Sequence, residues 1–153
     1  MQLREVISED AVLLAELRIQ MRKEREKSSM LIPEKEFLQA NIDYFKEFIA
    51  NGTYYGVIAE IDGKIAATGG ICFHNHPPSY GVPNGKSACL LNMYTLPDFR
   101  GKGLASKIVS ALVEKARSCG CCKVYLNASD MGKSVYQKFG FTDVSNEMVF
   151  DLL

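Results

Sequence analysis

The sequence lacks an excess of charge of either sign. Eighteen basic residues balance eighteen acidic ones, so the formal net charge at neutral pH is zero. Proteins that bind nucleic acid usually carry a basic patch or stripe, and no run of Lys and Arg here is long enough to supply one locally. We therefore expect no nucleic-acid partner.

The sequence also lacks an apolar segment of membrane-spanning length. No uninterrupted apolar run approaches the roughly 20 residues that a spanning helix needs. Residues 1–5 do not show the charged-then-apolar pattern of a secretory signal. These features favour a cytoplasmic protein without a membrane partner. Because no repeat or linker divides the 153 residues, we expect one domain, 1–153, around a single core.

The five cysteines do not indicate a disulfide framework or a metal motif. Their number is odd, and Cys72 and Cys89 lie in apolar strand-like runs, which is typical of reduced, buried thiols. The cluster of Cys119, Cys121 and Cys122 lacks the spacing of paired zinc ligands, and no matching Cys or His pair lies elsewhere. We expect no metal.

Hydrophobic periodicity predicts helices and strands in alternation. Ser8 is the predicted N-cap of a helix that fades near 27–29, and Pro33 is predicted in the first turn of a second helix. Two more helices are predicted, one from about Gly103 towards Gly120 and a short one that stops at Gly140. Alternating apolar residues predict strands at 3–7, 55–61, 65–73, 88–96, 123–127, 141–144 and 148–153.

A proline-rich segment, 74–86, predicts an irregular loop and a candidate substrate contact. His74 and His76 lie in it, and an ordinary imidazole pKa of about 6.5 suits proton transfer. Nothing nearby in the sequence would orient either ring, so a surface loop without a chemical role stays the favoured interpretation.

The strongest local signal is a buried strand that ends at Pro97 and turns through Arg100-Gly101-Lys102-Gly103 into an amphipathic helix. Glycines let the backbone curl tightly, and the free N–H groups of a first helical turn favour an anion such as phosphate. An isolated turn of this kind is more often a glycine-softened loop with solvated basic residues. Its position after a buried strand favours phosphate binding. The spacing fits neither common nucleotide loop, since Ser106 replaces the third glycine of the dinucleotide motif.

The segment Arg100–Ala105 resembles the acetyl-CoA signature of the GNAT superfamily of N-acetyltransferases, Arg/Gln-x-x-Gly-x-Gly/Ala. The segment Gly132–Phe141 resembles a second block of that family, a short helix that carries a tyrosine and ends in Gly-Phe. The order of elements follows the family along essentially the whole chain. The resemblance implies an α/β (α+β) fold with a central mixed, largely antiparallel twisted sheet of about seven strands, flanked by about four helices.

The resemblance also implies which residues bind acetyl-CoA, the acetyl donor. The backbone of Met93, Tyr94 and Thr95 would pair with the pantetheine arm, and one N–H group would polarise the thioester carbonyl. The pyrophosphate and the remainder of the arm would be held by Arg100, Gly101, Lys102, Gly103, Leu104, Ala105, Ser106, Ser129 and Gly132. Many members carry Asn and Ala at the last two of these positions, and here the Ser129 hydroxyl would hydrogen-bond the pantetheine in place of the Asn.

The resemblance assigns Tyr136 as the general acid that protonates the departing thiolate. A phenol with a pKa of about 10 suits this transfer. A tyrosine that only packs its ring in the core is the alternative. No carboxylate lies in the strand 88–96, so Asn92 is a candidate for orienting a water molecule or the amine. Glu24 is an unassigned candidate base, and a solvated charge is its favoured interpretation.

The predicted function is direct transfer of acetyl from acetyl-CoA to a primary amine in a ternary complex, without a covalent enzyme intermediate. The acceptor, a small-molecule amine or a peptide amine, is not indicated by the sequence. A non-catalytic acyl-CoA-binding sensor or scaffold module is the alternative. Family resemblance also leads us to expect a homodimer.

Overall fold

The fold is a five-stranded sheet between two layers of helices. The computed structural model describes residues 1–25, 32–144 and 146–152. The strands are β1 (Gln2–Glu5), β2 (Tyr54–Ile61), β3 (Lys64–Asn75), β4 (Lys86–Thr95) and β5 (Lys123–Tyr125). The helices are α1 (Ala11–Arg25), α2 (Glu34–Ala50), α3 (Leu104–Ser118) and α4 (Asp130–Lys138). Short 3₁₀ turns precede α1 at Ser8–Asp10 and α3 at Pro97–Phe99. No helix in these ranges is long and apolar enough to cross a membrane.

The strands lie in the order β1-β2-β3-β4-β5, and only the β4–β5 pair is parallel. The hairpin between β2 and β3 confirms the sequence prediction, with Ile61 opposite Lys64. Asp62 and Gly63 form its turn with φ of 51° and 73°, which is the left-handed pair that tight two-residue hairpins require.

Each face of the sheet buries a different set of helices. The α3 face is a continuous apolar cluster in which Ile108 and Leu112 pack with Ile71 and Leu90, all at most 3% exposed. The opposite face packs α1 and α2 on the sheet, with Leu14 and Phe45 against it. Removing these side chains from water supplies most of the driving force for folding.

Within the described residues the sheet has five strands, so the prediction of about seven is wrong. Segments 141–144 and 146–152 form no ladder hydrogen bonds with the described strands. A strand needs a partner for its backbone N–H and C=O groups, and alternating apolar residues alone do not supply one. Phe141 packs against the α3-face cluster, whereas the later apolar side chains are 72–94% exposed: Val144, Met148, Val149, Phe150 and Leu152.

Smaller differences concern the starts of helices. Ser8 begins the 3₁₀ turn instead of capping α1, and the Asp10 carboxylate accepts from the Ile7 N–H at 2.9 Å. Pro33 is the N-cap of α2 and not a first-turn residue. The predicted end of the first helix near 27–29 lies outside the described residues. Strands β3 and β4 extend into the predicted loop, which shrinks to 76–85.

Strand β4 contains a bulge that the sequence did not reveal. Thr68 pairs with Tyr94 and Gly70 pairs with Leu91, so two residues of β4 oppose the single Gly69 of β3. Asn92 takes up the extra residue with φ of 59°, which is unusual for a residue with a side chain. This local strain re-aims the backbone and the Asn92 side chain at one point of the strand.

Candidate active site

The two parallel strands of the sheet separate and leave a cleft between them. Only three pairs join β4 to β5, the last being Cys89 with Tyr125. Strand β4 then continues to Thr95 without a described strand beside it on that edge. A cavity of about 420 Å³, hereafter the central cleft, fills this gap and is flanked by α1, α3 and α4. Its floor is an open strand edge with backbone hydrogen-bonding groups available to a ligand.

Nearly every residue predicted for the site lines the central cleft. These residues are Asn92, Met93, Tyr94, Thr95, Arg100, Gly101, Gly103, Leu104, Ala105, Ser106, Ser129, Gly132 and Tyr136. Lys102 is the exception, because its ammonium group lies over the Phe99 ring at 4.9 Å and it is not part of the lining. The fold thus brings together residues separated by more than forty positions in sequence.

The glycine turn ends in an open helix N-terminus. Gly101 and Gly103 have φ of 75° and 74°, and Gly103 caps α3 without a side-chain hydrogen bond. A Cβ built on either glycine meets nothing within 4 Å. These glycines are therefore required by backbone conformation and not by crowding. The first-turn N–H groups of α3 face the end of the cleft lined by Leu104, Ala105 and Ser106, where an anion is favoured.

Arg100 is held by an ion pair that crosses the cleft. Its Nη2 lies 2.6 Å from Glu24 Oε2, and its Nε donates to the Thr95 carbonyl at 3.0 Å. The Tyr94 hydroxyl donates to Glu24 Oε1 at 2.7 Å. These contacts, led by the Tyr94 hydrogen bond, lower the pKa of Glu24, whereas burial and Glu24 raise that of Tyr94 to about 12.

Glu24 therefore lines the cleft, although its side chain stays 35% exposed, as expected of a solvated charge. The signal was present in the sequence: Leu17, Met21 and Glu24 recur at helical spacing, and the first two pack with Tyr94 in the core. A carboxylate with both oxygens engaged and a lowered pKa is a poor general base at neutral pH.

Asn92 lies at the bulge and is only 5% exposed. Its Oδ1 accepts from Arg18 Nη1 at 2.8 Å, whereas its Nδ2 has no hydrogen-bond partner within the described part of the chain. The buried Tyr54 hydroxyl lies beside Asn92, and burial raises its pKa while the Asn92 side chain opposes that shift. Asn92 thus brings a donor, and not an acceptor, to the cleft wall.

Tyr136 lies on α4, half-buried, with its ring edge-on to Phe141 at 5.9 Å. Burial raises the pKa of its hydroxyl, and Arg25 opposes this shift. Ser129 caps α4 through Gly132 N–H to Oγ at 3.3 Å. A Cβ on Gly132 would approach the Tyr136 ring to 3.2 Å. The Tyr136 ring thus lies over Gly132 and favours a residue without a side chain at this position. The sequence had offered a different reason, namely room for the arm of acetyl-CoA.

The histidines and the cysteine cluster are not part of the cleft lining. The His74 and His76 rings stack on each other at 6.1 Å, and His74 also contacts Tyr125. Cys122 donates to Asn84 Oδ1 at 3.1 Å. All five cysteines are free thiols. The described residues contain no cluster of three or more His, Cys, Asp or Glu arranged for a metal ion.

Several cleft residues were missed by sequence reasoning. They are Met21, Arg25, Leu90, Leu91, Phe99, Asn127, Met131 and Val135. Asn127 had a detectable signal, because a polar residue just past the carboxyl end of a parallel strand is well placed for a ligand. The apolar members had none, since they resemble ordinary core residues.

Comparison with known proteins assigns the family. A sequence model described as the acetyltransferase (GNAT) family matches residues 18–141, well over half of the chain. The chain therefore belongs to this family, which uses acetyl-CoA as its donor. The structure of a predicted acetyltransferase from Clostridium acetobutylicum with acetyl-CoA is 31% identical, with a TM-score of 0.88 over 99% of this chain and 96% of that chain.

Two curated enzymes are similar over part of their length. Glucosamine 6-phosphate N-acetyltransferase of Arabidopsis thaliana is 35% identical over 89 residues, which is 58% of this chain and 58% of the enzyme. Thialysine N-epsilon-acetyltransferase of Bos taurus is 29% identical over 98 residues, which is 60% of this chain and 58% of the enzyme. The similarity thus spans less than two thirds of each enzyme.

Proposed function

We propose that this protein transfers acetyl from acetyl-CoA directly to a primary amine of a small molecule, in a ternary complex. One observation carries the proposal: a single cleft joins the open N-terminus of α3, the free edge of β4 and the Tyr136 side chain. The family membership supplies the reaction class. The two curated relatives, named for glucosamine 6-phosphate and thialysine, favour a small-molecule acceptor over a protein.

Successive parts of the cleft match successive parts of the acetyl-CoA molecule. Gly101 to Ser106 and the Arg100 guanidinium would hold the pyrophosphate, because uncapped N–H groups and a cation face the same end. The β4 edge from Met93 to Thr95 would pair with the pantetheine amides as an added strand. When bound, acetyl-CoA supplies the activated acetyl group that the amine nitrogen attacks.

Protein groups manage charge and protons during the transfer. A backbone N–H at the β4 bulge would polarise the carbonyl, since Asn92 turns the chain there. The Tyr136 hydroxyl, whose pKa burial raises, stays protonated at neutral pH and would donate to the departing thiolate. The amine's proton would leave through water, because Glu24, the one carboxylate in the described lining, is held by Arg100 and Tyr94.

The experiment is CoA release with acetyl-CoA and a panel of primary amines, followed by mass spectrometry of the product. Acetylation of at least one small amine, with a mass gain on its nitrogen, is the expected result. Acetyl-CoA binding in calorimetry without turnover on any amine would contradict the proposal and favour the acyl-CoA-binding sensor.

We also propose a homodimer, from the family resemblance, and a cytoplasmic location. The exposed apolar side chains of residues 146–152 support a partner surface, since apolar patches of this kind mark association sites. Light scattering after gel filtration is expected to give twice the monomer mass of 17.0 kDa. A monomer mass at all concentrations would contradict the dimer.

A further inference from the structure

Two of the free cysteines lie directly opposite each other in the sheet. Cys72 of β3 and Cys89 of β4 are Cα partners in an antiparallel ladder whose register is regular from Gly70 to Asn75. Residues that oppose each other directly in a sheet point their side chains to the same face. Both thiols therefore lie on the face that packs against α1 and α2, where Cys72 belongs to the core cluster.

The backbone hydrogen bonds indicate the separation of the two cysteines. The Phe73 N–H donates to the Thr53 carbonyl beside β2, so the preceding residue, Cys72, directs its backbone groups to β4. Cys72 and Cys89 thus form a hydrogen-bonded pair, in which the Cα atoms lie about 5.5 Å apart. Disulfides prefer a Cα separation of about 5.5–6 Å, although the Cβ atoms would have to approach by roughly 1 Å. A small local adjustment of the two strands would therefore allow a bridge.

The two thiols differ in their access to a reagent. Cys72 is only 5% exposed and its Sγ lies 2.7 Å from the Tyr44 hydroxyl, whereas Cys89 is partly exposed. Burial raises the pKa of both thiols, so each is mostly protonated at neutral pH. Cys89 is therefore the thiol that a small oxidant reaches first, and the reaction is expected to be faster in mild alkali.

The other three cysteines provide an internal comparison. Cys119, Cys121 and Cys122 lie in the connection from α3 to β5, outside every strand of the described residues. Cys119 and Cys122 are more exposed than Cys89, and Cys122 Sγ donates to Asn84 Oδ1 at 3.1 Å. If exposure alone decided reactivity, these thiols would be oxidised in preference to the sheet pair.

We propose that Cys72 and Cys89 form an intrachain disulfide by exchange with a low-molecular-weight disulfide such as oxidised glutathione. The Cys89 thiolate attacks one sulfur of the reagent, which forms a mixed disulfide and releases one reagent thiol. The Cys72 thiolate then attacks the Cys89 sulfur, which forms the cross-strand bond and releases the second reagent thiol. Two protein thiols are oxidised and one reagent disulfide is reduced to two thiols, so electrons and hydrogen atoms balance. Excess thiol reverses both steps.

The bridge would lie at the base of the central cleft. Cys89 is paired with Tyr125 in the last pair before β5 separates from β4, and the next residue, Leu90, lines the cleft. The disulfide would therefore join β3 to β4 at the point where the cleft begins. The site does not depend on the proposed acetyl transfer, because its formation is measured without any amine or acetyl-CoA.

Tryptic peptide mapping tests the pairing, because trypsin separates the three groups of cysteines. Cleavage after Lys and Arg leaves Cys72 in peptide 65–86, Cys89 in peptide 87–100 and the other three cysteines in peptide 118–123. The native protein is incubated with excess oxidised glutathione at about pH 8.5, where more thiolate is present, and the remaining thiols are alkylated before digestion. We expect peptide 65–86 joined to peptide 87–100 as the main linked product, and its loss after reduction.

Variants and unfolding locate the cause of the pairing. Cys89→Ser is expected to abolish the linked product and to leave the buried Cys72 without a glutathione adduct. Cys122→Ser is the matched control, because it removes a more exposed thiol that is not opposite another cysteine, and it is expected to leave the linkage unchanged. In guanidinium chloride the register is lost, so linkages are expected to spread over all five cysteines.

The map of the native wild-type protein decides the proposal even if a variant does not fold. Peptide 118–123 joined to either of the other peptides as the main product would overturn it. Glutathione adducts on Cys89 without the linked product would also overturn it, as would free thiols at Cys72 and Cys89 after prolonged incubation. The same linked product from native and unfolded protein, in equal proportion, would show that the fold does not direct the pairing.

Discussion

At the scale of single residues, Tyr136 carries the chemistry of the proposal. Tyr136→Phe keeps the ring that packs on Phe141 and removes only the hydroxyl. We expect kcat to fall by about 10²-fold or more, the usual size of a general-acid effect, with the acetyl-CoA Kd nearly unchanged. Stopped-flow turnover and calorimetry measure the two quantities. Equal turnover in the variant would contradict the general-acid role.

The raised pKa of Tyr136 gives the same hypothesis a pH test. A folded-state pKa above the ordinary value keeps the hydroxyl protonated at higher pH, so the donating form persists beyond about pH 10. The basic limb of the kcat profile is therefore expected above that pH and absent in Tyr136→Phe. A basic limb shared by wild type and variant would come from another group.

Glu24 is expected to weaken acetyl-CoA binding and not to act as a catalytic base. Its carboxylate neutralises Arg100 at the proposed pyrophosphate end, and its lowered pKa keeps this pair ionised at neutral pH. Glu24→Gln is expected to tighten acetyl-CoA binding by about threefold, since a partly exposed pair contributes less than about 1 kcal/mol. Calorimetry at low and high salt measures the change, which salt should reduce.

The matched control for this variant is Glu114→Gln, which removes a carboxylate from an exposed Arg pair on α3 outside the cleft. It is expected to leave the Kd unchanged. Weaker binding of acetyl-CoA in Glu24→Gln would mean that Glu24 mainly holds Arg100 in place. The threefold decrease in Kd would then be the wrong prediction.

At the scale of elements, the sequence predicted those helices and turns that are determined by the local pattern of residues. All four helices and the β2–β3 hairpin follow from periodicity and turn residues, and the glycine turn follows from its position after a buried strand. The bulge at Asn92 and the separation of β4 from β5 depend on long-range pairing, which one strand's sequence does not encode. The Glu24 contacts required the packing of α1 on β4, a tertiary feature.

The start of α3 provides a test at this scale. Gly103→Ala forces a side chain into the left-handed region, which costs about 1–2 kcal/mol although the Cβ meets no atom within 4 Å. We expect a lower melting temperature together with weaker acetyl-CoA binding, because relief of the strain would shift the N–H groups of the turn. Thermal denaturation and calorimetry give the two values.

The other end of α3 offers a control with the same strain. Gly120 has φ of 77°, and a Cβ there also meets nothing within 4 Å, but it lies outside the central cleft. Gly120→Ala is expected to lose similar stability while keeping the acetyl-CoA Kd. If both variants changed the Kd equally, the effect would be general destabilisation, and the pyrophosphate role of Gly103 would be unsupported.

At the scale of the whole molecule, the family and the α/β class were predictable because two separate segments, Arg100–Ala105 and Gly132–Phe141, each resemble a motif of that family. The structure then brings residues of both segments to one cleft. The number of strands was not predictable in the same way. The apolar alternation of 141–152 is typical of strands, yet pairing needs an available edge, and no sequence pattern names one. The identity of the acceptor was not predictable either, because no segment of the sequence carries a motif for it.

Acetyl-CoA binding is expected to stabilise the entire fold, because the cleft is lined by residues from Met21 on α1 to Tyr136 on α4. A ligand that binds only the folded state shifts the unfolding equilibrium towards it. At about 100 times its Kd, acetyl-CoA would add about 2.7 kcal/mol, or about 5–10 °C in melting temperature for a domain of this size. S-acetylpantetheine, which lacks the pyrophosphate, would use the β4 edge but not the glycine turn, so it should stabilise far less at equal concentration. Equal shifts in melting temperature for the two compounds in differential scanning calorimetry would contradict pyrophosphate binding at the Arg100–Ser106 turn. A larger shift for acetyl-CoA that becomes smaller in Gly103→Ala would support it.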